Sequence, residues 1–317
     1  MQITSGAQDR GTFGRSWGTV AAGVTCRGLL IGMLALSVAD ATWARGGRAT
    51  SGRVTGLWGR TSTFQHSATA QNGALFRQGS FSTPQGKTYR SQSTTTRSGN
   101  TLQTNGSITG TDGRTLVTKQ GTITKTDGGM KHEATYATQS GKTLATQGTL
   151  TKTNSGLQYT GAATTGGGKT VTTQGSASYA DGALHTNGLV TDPAGQMVTR
   201  EGTATKTDDG FQRPAVYTTG SGKTATVEGV VSKTDAGFQR ATTATTGDGK
   251  TVTSQDTATY SGGMVQTTGT LTGPSDQTLV TRQGTTTKTD DGAQNEATFT
   301  TGSNKTVTES STTTSGQ

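Results

Sequence analysis

Residues 169–195 read KTVTTQGSASYADGALHTNGLVTDPAG, and this 27-residue stretch decides the fold. Its first half alternates from Thr170, Val171 and Thr172 to Tyr179, then reaches Ala180-Asp181-Gly182. Its second half runs from Ala183 through Leu184, Gly188 and Val190 to Asp192-Pro193-Ala194-Gly195. Strand side chains point alternately to opposite faces. β-Branched Thr and Val favour strands, and Gly, Asn and Asp tolerate the positive φ of tight turns. The stretch therefore predicts two strands of roughly ten residues, each closed by a turn.

The same unit recurs along the chain. Equivalent positions fall at Lys87, Arg114, Lys142, Lys169, Gln196, Lys223, Lys250, Gln277 and Lys305, in steps of 27 or 28 residues. About nine units of two strands each give an all-β, 27-residue repeat array over 87–317. Repeats of this size stabilise one another through nearest neighbours. The tight turn chemistry at both ends of the unit favours an antiparallel β-hairpin meander. The alternative is a two-sided β-solenoid, with one unit per coil.

Alternate residues sort into two faces. One carries Thr170, Thr172, Gln174, Ser176 and Ser178, and its equivalents in later units are again hydroxyls and amides, so it faces water. The other carries apolar rows such as Leu144, Val171, Val198 and Val252. Between these rows run Gly148, Gly175, Gly202 and Gly229, which make a thin buried face. Alternating ten-residue strands also suit an outer-membrane barrel, but that architecture needs an apolar outer band with aromatic girdles. Neither face here is apolar enough.

Composition narrows the functional classes. Hydrophobic residues make up 27% of the 317, and about a quarter of the chain is Thr. Ordinary globular domains are nearly half apolar, so a large enzyme core cannot be assembled. The lone cysteine, Cys26, leaves no disulfide framework.

Residues 1–44 read as a secretory signal peptide. Arg10, Arg15 and Arg27 precede the apolar run 29–36, and small-residue exits follow at Ala39-Asp40-Ala41 and Thr42-Trp43-Ala44. That run is too short to span a bilayer as a helix.

Residues 45–86 read as a basic Arg-rich arm and the entry to the repeats. From 45 to 100 the cations are Arg45, Arg48, Arg53, Arg60, Arg77, Lys87, Arg90 and Arg97, without one Asp or Glu. Residues 101–317 hold 17 basic and 17 acidic side chains, so the overall +9 belongs mainly to the arm. Such a segment is drawn to polyanions, here an anionic cell-surface polymer or polysaccharide.

Catalytic and cofactor motifs fail on inspection. Gly-Ser-Gly-Lys-Thr at 220–224 and Gly-Gly-Gly-Lys-Thr at 166–170 lack the earlier Gly and the following helix of a phosphate loop. His66, His132 and His185 lie in different units without ligand spacing, so no metal and no cofactor is expected. The expectation is a non-enzymatic protein.

The Thr rows carry the remaining chemistry: Thr170, Thr172, Thr199, Thr203, Thr205, Thr226, Thr253, Thr257 and Thr259. T-x-T pairs such as Thr203-Ala204-Thr205 resemble the ice-binding face of antifreeze β-solenoids. This is similarity of pattern alone, because the repeat length and cysteines of those families are absent. The reading is a secreted or cell-surface structural protein for adhesion, extracellular matrix or biofilm scaffolding, able to self-associate through edge strands. Its alternative is a module binding ice or polysaccharide through the Thr face. Export of the full chain should yield a mature protein beginning at Thr42 or Arg45, read by intact-mass spectrometry. Recovery of the uncleaved chain alone would remove the signal-peptide reading.

Overall fold

The computed structural model describes residues 48–56 and 59–315; residues 1–44, expected to be a signal peptide, and Arg45 lie outside them. The described chain is a run of twenty strands. The first five are β1 (Arg48–Thr55), β2 (Thr61–Gln71), β3 (Ala74–Ser82), β4 (Thr88–Ser98) and β5 (Thr101–Thr109). Next come β6 (Thr115–Thr126), β7 (Gly129–Thr138), β8 (Thr143–Thr153), β9 (Gly156–Thr165) and β10 (Thr170–Ala180). Then follow β11 (Ala183–Thr191), β12 (Met197–Thr207), β13 (Gly210–Thr219), β14 (Thr224–Thr234) and β15 (Gly237–Thr246). The last are β16 (Thr251–Ser261), β17 (Met264–Thr272), β18 (Thr278–Thr289), β19 (Gly292–Thr301) and β20 (Thr306–Ser315).

Each strand pairs antiparallel with its sequence neighbours, and β1 also pairs with β20, so the meander closes into a barrel. Antiparallel neighbours exclude the solenoid, which would stack equivalent strands. Closure also removes the edge strands expected at the ends of the array. Among the described residues the repeated strands reach back to Arg48, and the segment expected to be a basic arm and repeat entry contributes β1, β2 and β3.

Two turn types alternate. At one end, Asp181 (φ 52) and Gly182 (φ 75) make a two-residue turn of the kind that matches strand twist. At the other, Thr165 closes on Lys169: its amide donates to the Lys169 carbonyl (2.9 Å), and the Gly168 amide donates to the Thr165 carbonyl (2.9 Å). The Thr165 hydroxyl accepts the Lys169 amide at 3.2 Å, as Thr138, Thr219 and Thr301 do for Lys142, Lys223 and Lys305. The Gly-Lys steps are thus turns whose amides are used locally.

The ladder is staggered. Gln174 faces Leu189, which faces Thr199, although the repeat mate of Gln174 is Glu201. Each hairpin therefore slips the register by two residues, which tilts the strands by roughly 35° to the barrel axis. The 28-residue units keep this frame by bulging. Ile108 faces Val117 while Thr109 faces Thr115, leaving Leu116 unpaired, and Leu279 is skipped in the same way between β17 and β18.

Chirality assigns the faces. Ala180 and Ala183 flank the two-residue turn as partners, so their hydroxyl-bearing row bonds across β10 and β11. With the right-handed coil of L-strands, the observed slip turns that row outward. The Gly and apolar row lines the lumen. Exposure agrees: on β14, Thr224, Thr226 and Glu228 are exposed, while Ala225, Val227, Gly229 and Val231 are half-buried.

The inner row is not the buried face expected from the sequence. Among the described residues the most buried hydrophobic side chains are alanines, led by Ala134, Ala215 and Ala297, and no large side chain is fully buried. Phe238 and Tyr260 meet edge-on at 6.2 Å yet stay about half exposed. The wall is one layer around a hollow lumen, which twenty strands are wide enough to leave open. It is held by the ladder and by cross-strand hydroxyl pairs such as Thr95···Thr104 (3.0 Å) and Thr164···Thr170 (2.9 Å). Each such pair contributes roughly 0.2–1 kcal/mol.

Two equivalent glycines differ in what surrounds them. A methyl on Gly175 would meet the Asn187 carbonyl oxygen and lie 2.5 Å from the Tyr159 ring. At Gly229 the nearest atom is 3.7 Å away. Gly175→Ala should destabilise by about 1–3 kcal/mol through overpacking. Gly229→Ala should be neutral or stabilising by about 0.5 kcal/mol. Urea unfolding of both variants checks the contrast.

Candidate functional site

Because turn types alternate strictly, all turns of one type fall on one rim. The longer turns carry Arg60, Lys87, Arg114, Lys142, Lys169, Gln196, Lys223, Lys250, Gln277 and Lys305. Eight of these ten positions are cationic, and they form a ring. Four carboxylates share it. Asp112 lies 3.6 Å from Arg114, and Asp248 lies 3.2 Å from Lys250. The Thr246 hydroxyl and then Lys250 hold the Asp248 carboxyl below its ordinary value. Asp192 accepts the Gln196 amide at 2.8 Å, and Asp276 is the fourth. The opposite rim carries Asp127, Asp181, Asp208, Asp209, Asp235, Asp290 and Asp291 in its turns, and Lys125, Lys152, Lys206, Lys233 and Lys288 end the strands that lead into them, so its charge is mixed.

The eight residues of the basic arm do not gather. Arg60 and Lys87 join the basic rim. Arg53 stands on the outer wall, its Nε donating to the Ser310 hydroxyl at 3.2 Å, and Arg90 stands on the outer wall of β4. Arg77 belongs to the lumen row of β3, and Arg97 sits at the far end of β4, bonded to the Gly99 carbonyl at 3.1 Å. Arg48 lies in β1, and Arg45 is outside the described residues. The ring instead draws one cation from almost every unit.

A second constellation lies in the lumen and was missed in the sequence reading. Lys119, Arg200 and Arg282 lie over the rings of Tyr136, Tyr217 and Phe299 at 5.8, 5.9 and 5.9 Å. Each faces a glycine on the preceding strand: Gly106, Gly188 or Gly269. Arg200 also donates to the Thr186 hydroxyl at 2.7 Å and to the Tyr217 hydroxyl at 3.2 Å. The three fall on β6, β12 and β18, three repeat units apart, at spacings of 81 and 82 residues. A search at the period of three units, allowing for the extra bulge residue, finds them.

The Thr positions singled out from the sequence all face outward from β10, β12, β14 and β16. Shallow grooves cross this outer wall. One of about 370 Å³ is lined by Ser176, His185, Asn187, Glu201 and Thr203. Of the histidines, His66 and His132 line the lumen from different strands and His185 faces out. Half-burial, and then the Arg77 cation, hold the His66 imidazole below its ordinary value. Among the described residues no cluster of three metal-ligating side chains occurs, and no helix is long and apolar enough to cross a membrane.

Compared with models of known protein families and with curated proteins, the chain matches none.

Each rim cation near an anionic surface contributes about 1 kcal/mol at low salt. Replacing Lys87, Lys142 and Lys169 with Gln should therefore weaken retention on a sulfated-polysaccharide column about tenfold or more. Arg53→Gln with Arg90→Gln should weaken it far less. Equal losses from the two sets would place the contact elsewhere.

Proposed function

We propose that this chain is an exported structural protein of the cell surface or extracellular matrix, acting in adhesion or biofilm scaffolding and not in catalysis. The observation that carries the reading is the repetition itself. Ten hairpins present the same hydroxyl outer wall and nearly the same cationic turn on one rim. Such display supplies many weak, equivalent contacts, and multivalency turns these into firm attachment. The partner is an anionic surface polymer or polysaccharide, engaged by the basic rim more than by a separate arm. In cells that make the protein, it should fractionate with the surface or matrix, and its deletion should lower attachment to a substratum. Recovery wholly from the cytosol, with attachment unchanged on deletion, would overturn the reading.

A second reading uses the Thr-bearing outer wall as a polysaccharide-binding face. It is favoured by the groove beside Ser176, Asn187 and Glu201, whose hydroxyl, amide and carboxylate groups suit sugar hydroxyls. Ice is the weaker ligand, because a closed wall with a two-residue slip per hairpin offers no flat lattice. Asn187→Ala with Glu201→Ala should lower retention on a neutral polysaccharide while leaving binding to the sulfated column intact.

A further inference from the structure

We propose that the seam between β1 and β20 is an exchangeable joint, through which β1 of one copy pairs with β20 of another to link chains head to tail. This names a second copy of the chain as partner, and it rests on the scaffold reading for its biological setting.

The seam has the register of an internal repeat. Thr55 faces Thr308 on one side and Thr61 on the other, just as Thr245 faces Thr226 and Thr251 within the array. Thr50 opposite Thr313 likewise matches Arg240 opposite Val231. Strands β20 and β1 are therefore the two halves of one hairpin unit that lacks only its turn. Every other neighbouring pair in the barrel is tied by a short turn; this one is held by its ladder and a few side-chain bonds. These include Thr50 Oγ1···Thr313 Oγ1 at 3.1 Å and Arg53 Nε to Ser310 Oγ at 3.2 Å.

Nothing in that ladder records whether its two strands belong to one molecule. A β20 from a second copy offers the same backbone groups and the same side chains in the same frame. Pairing of this kind is strand addition at a sheet edge, and a head-to-tail joint extends into open arrays. What favours the closed barrel is that the intervening wall already holds its two ends side by side, which raises their effective concentration. Crowding of molecules at a surface shifts the balance toward exchange, and opening the seam exposes two complementary edges with no other partner among the described strands.

The test uses the full chain with Cys26→Ser, so that added cysteines are the only thiols. Thr50→Cys and Thr313→Cys are placed in separate molecules, mixed, unfolded, refolded together and oxidised. A disulfide-linked dimer should form, scarce at micromolar protein and rising steadily as the protein is concentrated. The off-register mixture, Thr50→Cys with Thr308→Cys, should give at least tenfold less. A single chain carrying both Thr50→Cys and Thr313→Cys should form its internal disulfide at low concentration, which reports the closed seam. Failure of the mixed dimer at every concentration overturns the joint, as does equal cross-linking of the off-register mixture. So does absence of the internal disulfide. If instead the joint forms but the protein never reaches a surface, the scaffold reading falls and the joint stands. Surface deposition by a locked, seam-disulfide chain at wild-type levels would leave the scaffold and remove the joint.

Discussion

The structure depends on one constraint: the backbone ladder must close on itself, because almost nothing else is available to hold the chain. No residue bulkier than Ala or Thr reaches full burial in the described wall, so the hydrophobic term that stabilises ordinary domains is small. An open sheet of twenty strands would leave two edges of unpaired amides and carbonyls. Closure satisfies them with the same bonds used everywhere else. Closure in turn requires that the stagger add up around the ring. The two-residue slip per hairpin supplies this, and the bulges at Leu116 and Leu279 absorb the extra residue of the longer units before it can shift every later side chain to the other face.

The inner glycine row acquires its meaning from the same geometry. It lies where long side chains fold back against the wall. Tyr159 covers Gly175, Phe64 covers Gly52, and Arg200 reaches across Gly188 toward Thr186. A Cβ at Gly175 or Gly52 would press on the covering ring, whereas at Gly188 the nearest atom would be the Tyr159 hydroxyl at 3.3 Å. The lumen of a single-layer barrel cannot be filled by side chains at this radius. Covering of the backbone by neighbouring residues therefore takes the place of packing against an opposite layer.

Much of this was legible in the sequence, and what was not has identifiable physical causes. Periodicity showed the hairpins, because turn chemistry recurs every 13 or 14 residues and alternation separates Thr170 and Thr172 from Val171 and Gly175. Closure was not legible: it is a relation between β1 and β20 that no local window contains. The expectation of an apolar outer band also worked against a barrel, and here the apolar residues face inward. Residues 45–86, which include β1 to β3, read as an arm and the entry to the repeats because the segment holds cations and no Asp or Glu. Yet Gly59-Arg60-Thr61 stands 27 residues before Gly86-Lys87-Thr88 and marks one more unit. The thin face was read as buried, since alternation identifies a distinct face without saying whether anything lies opposite it.

The candidate site follows from topology more than from composition. In a meander with two alternating turn types, whatever recurs in one type must arrive at one rim, so a linear period becomes a ring without any residue being placed individually. The balanced charge of residues 101–317 conceals this, because equal numbers of Lys, Arg, Asp and Glu cancel in a sum but not in space. The longer turns gather Arg114, Lys142, Lys169, Lys223, Lys250 and Lys305 on one side, while Asp127, Asp181, Asp208 and Asp290 collect on the other, where Lys125, Lys152, Lys206, Lys233 and Lys288 partly offset them. The excess of cations between 45 and 100 is meanwhile dispersed over the outer wall, the lumen and both rims. Net charge along a chain locates a binding surface only when the fold keeps neighbours in sequence together. In a closed meander it keeps together residues one full repeat apart, and the search for a partner belongs at the rim those repeats define.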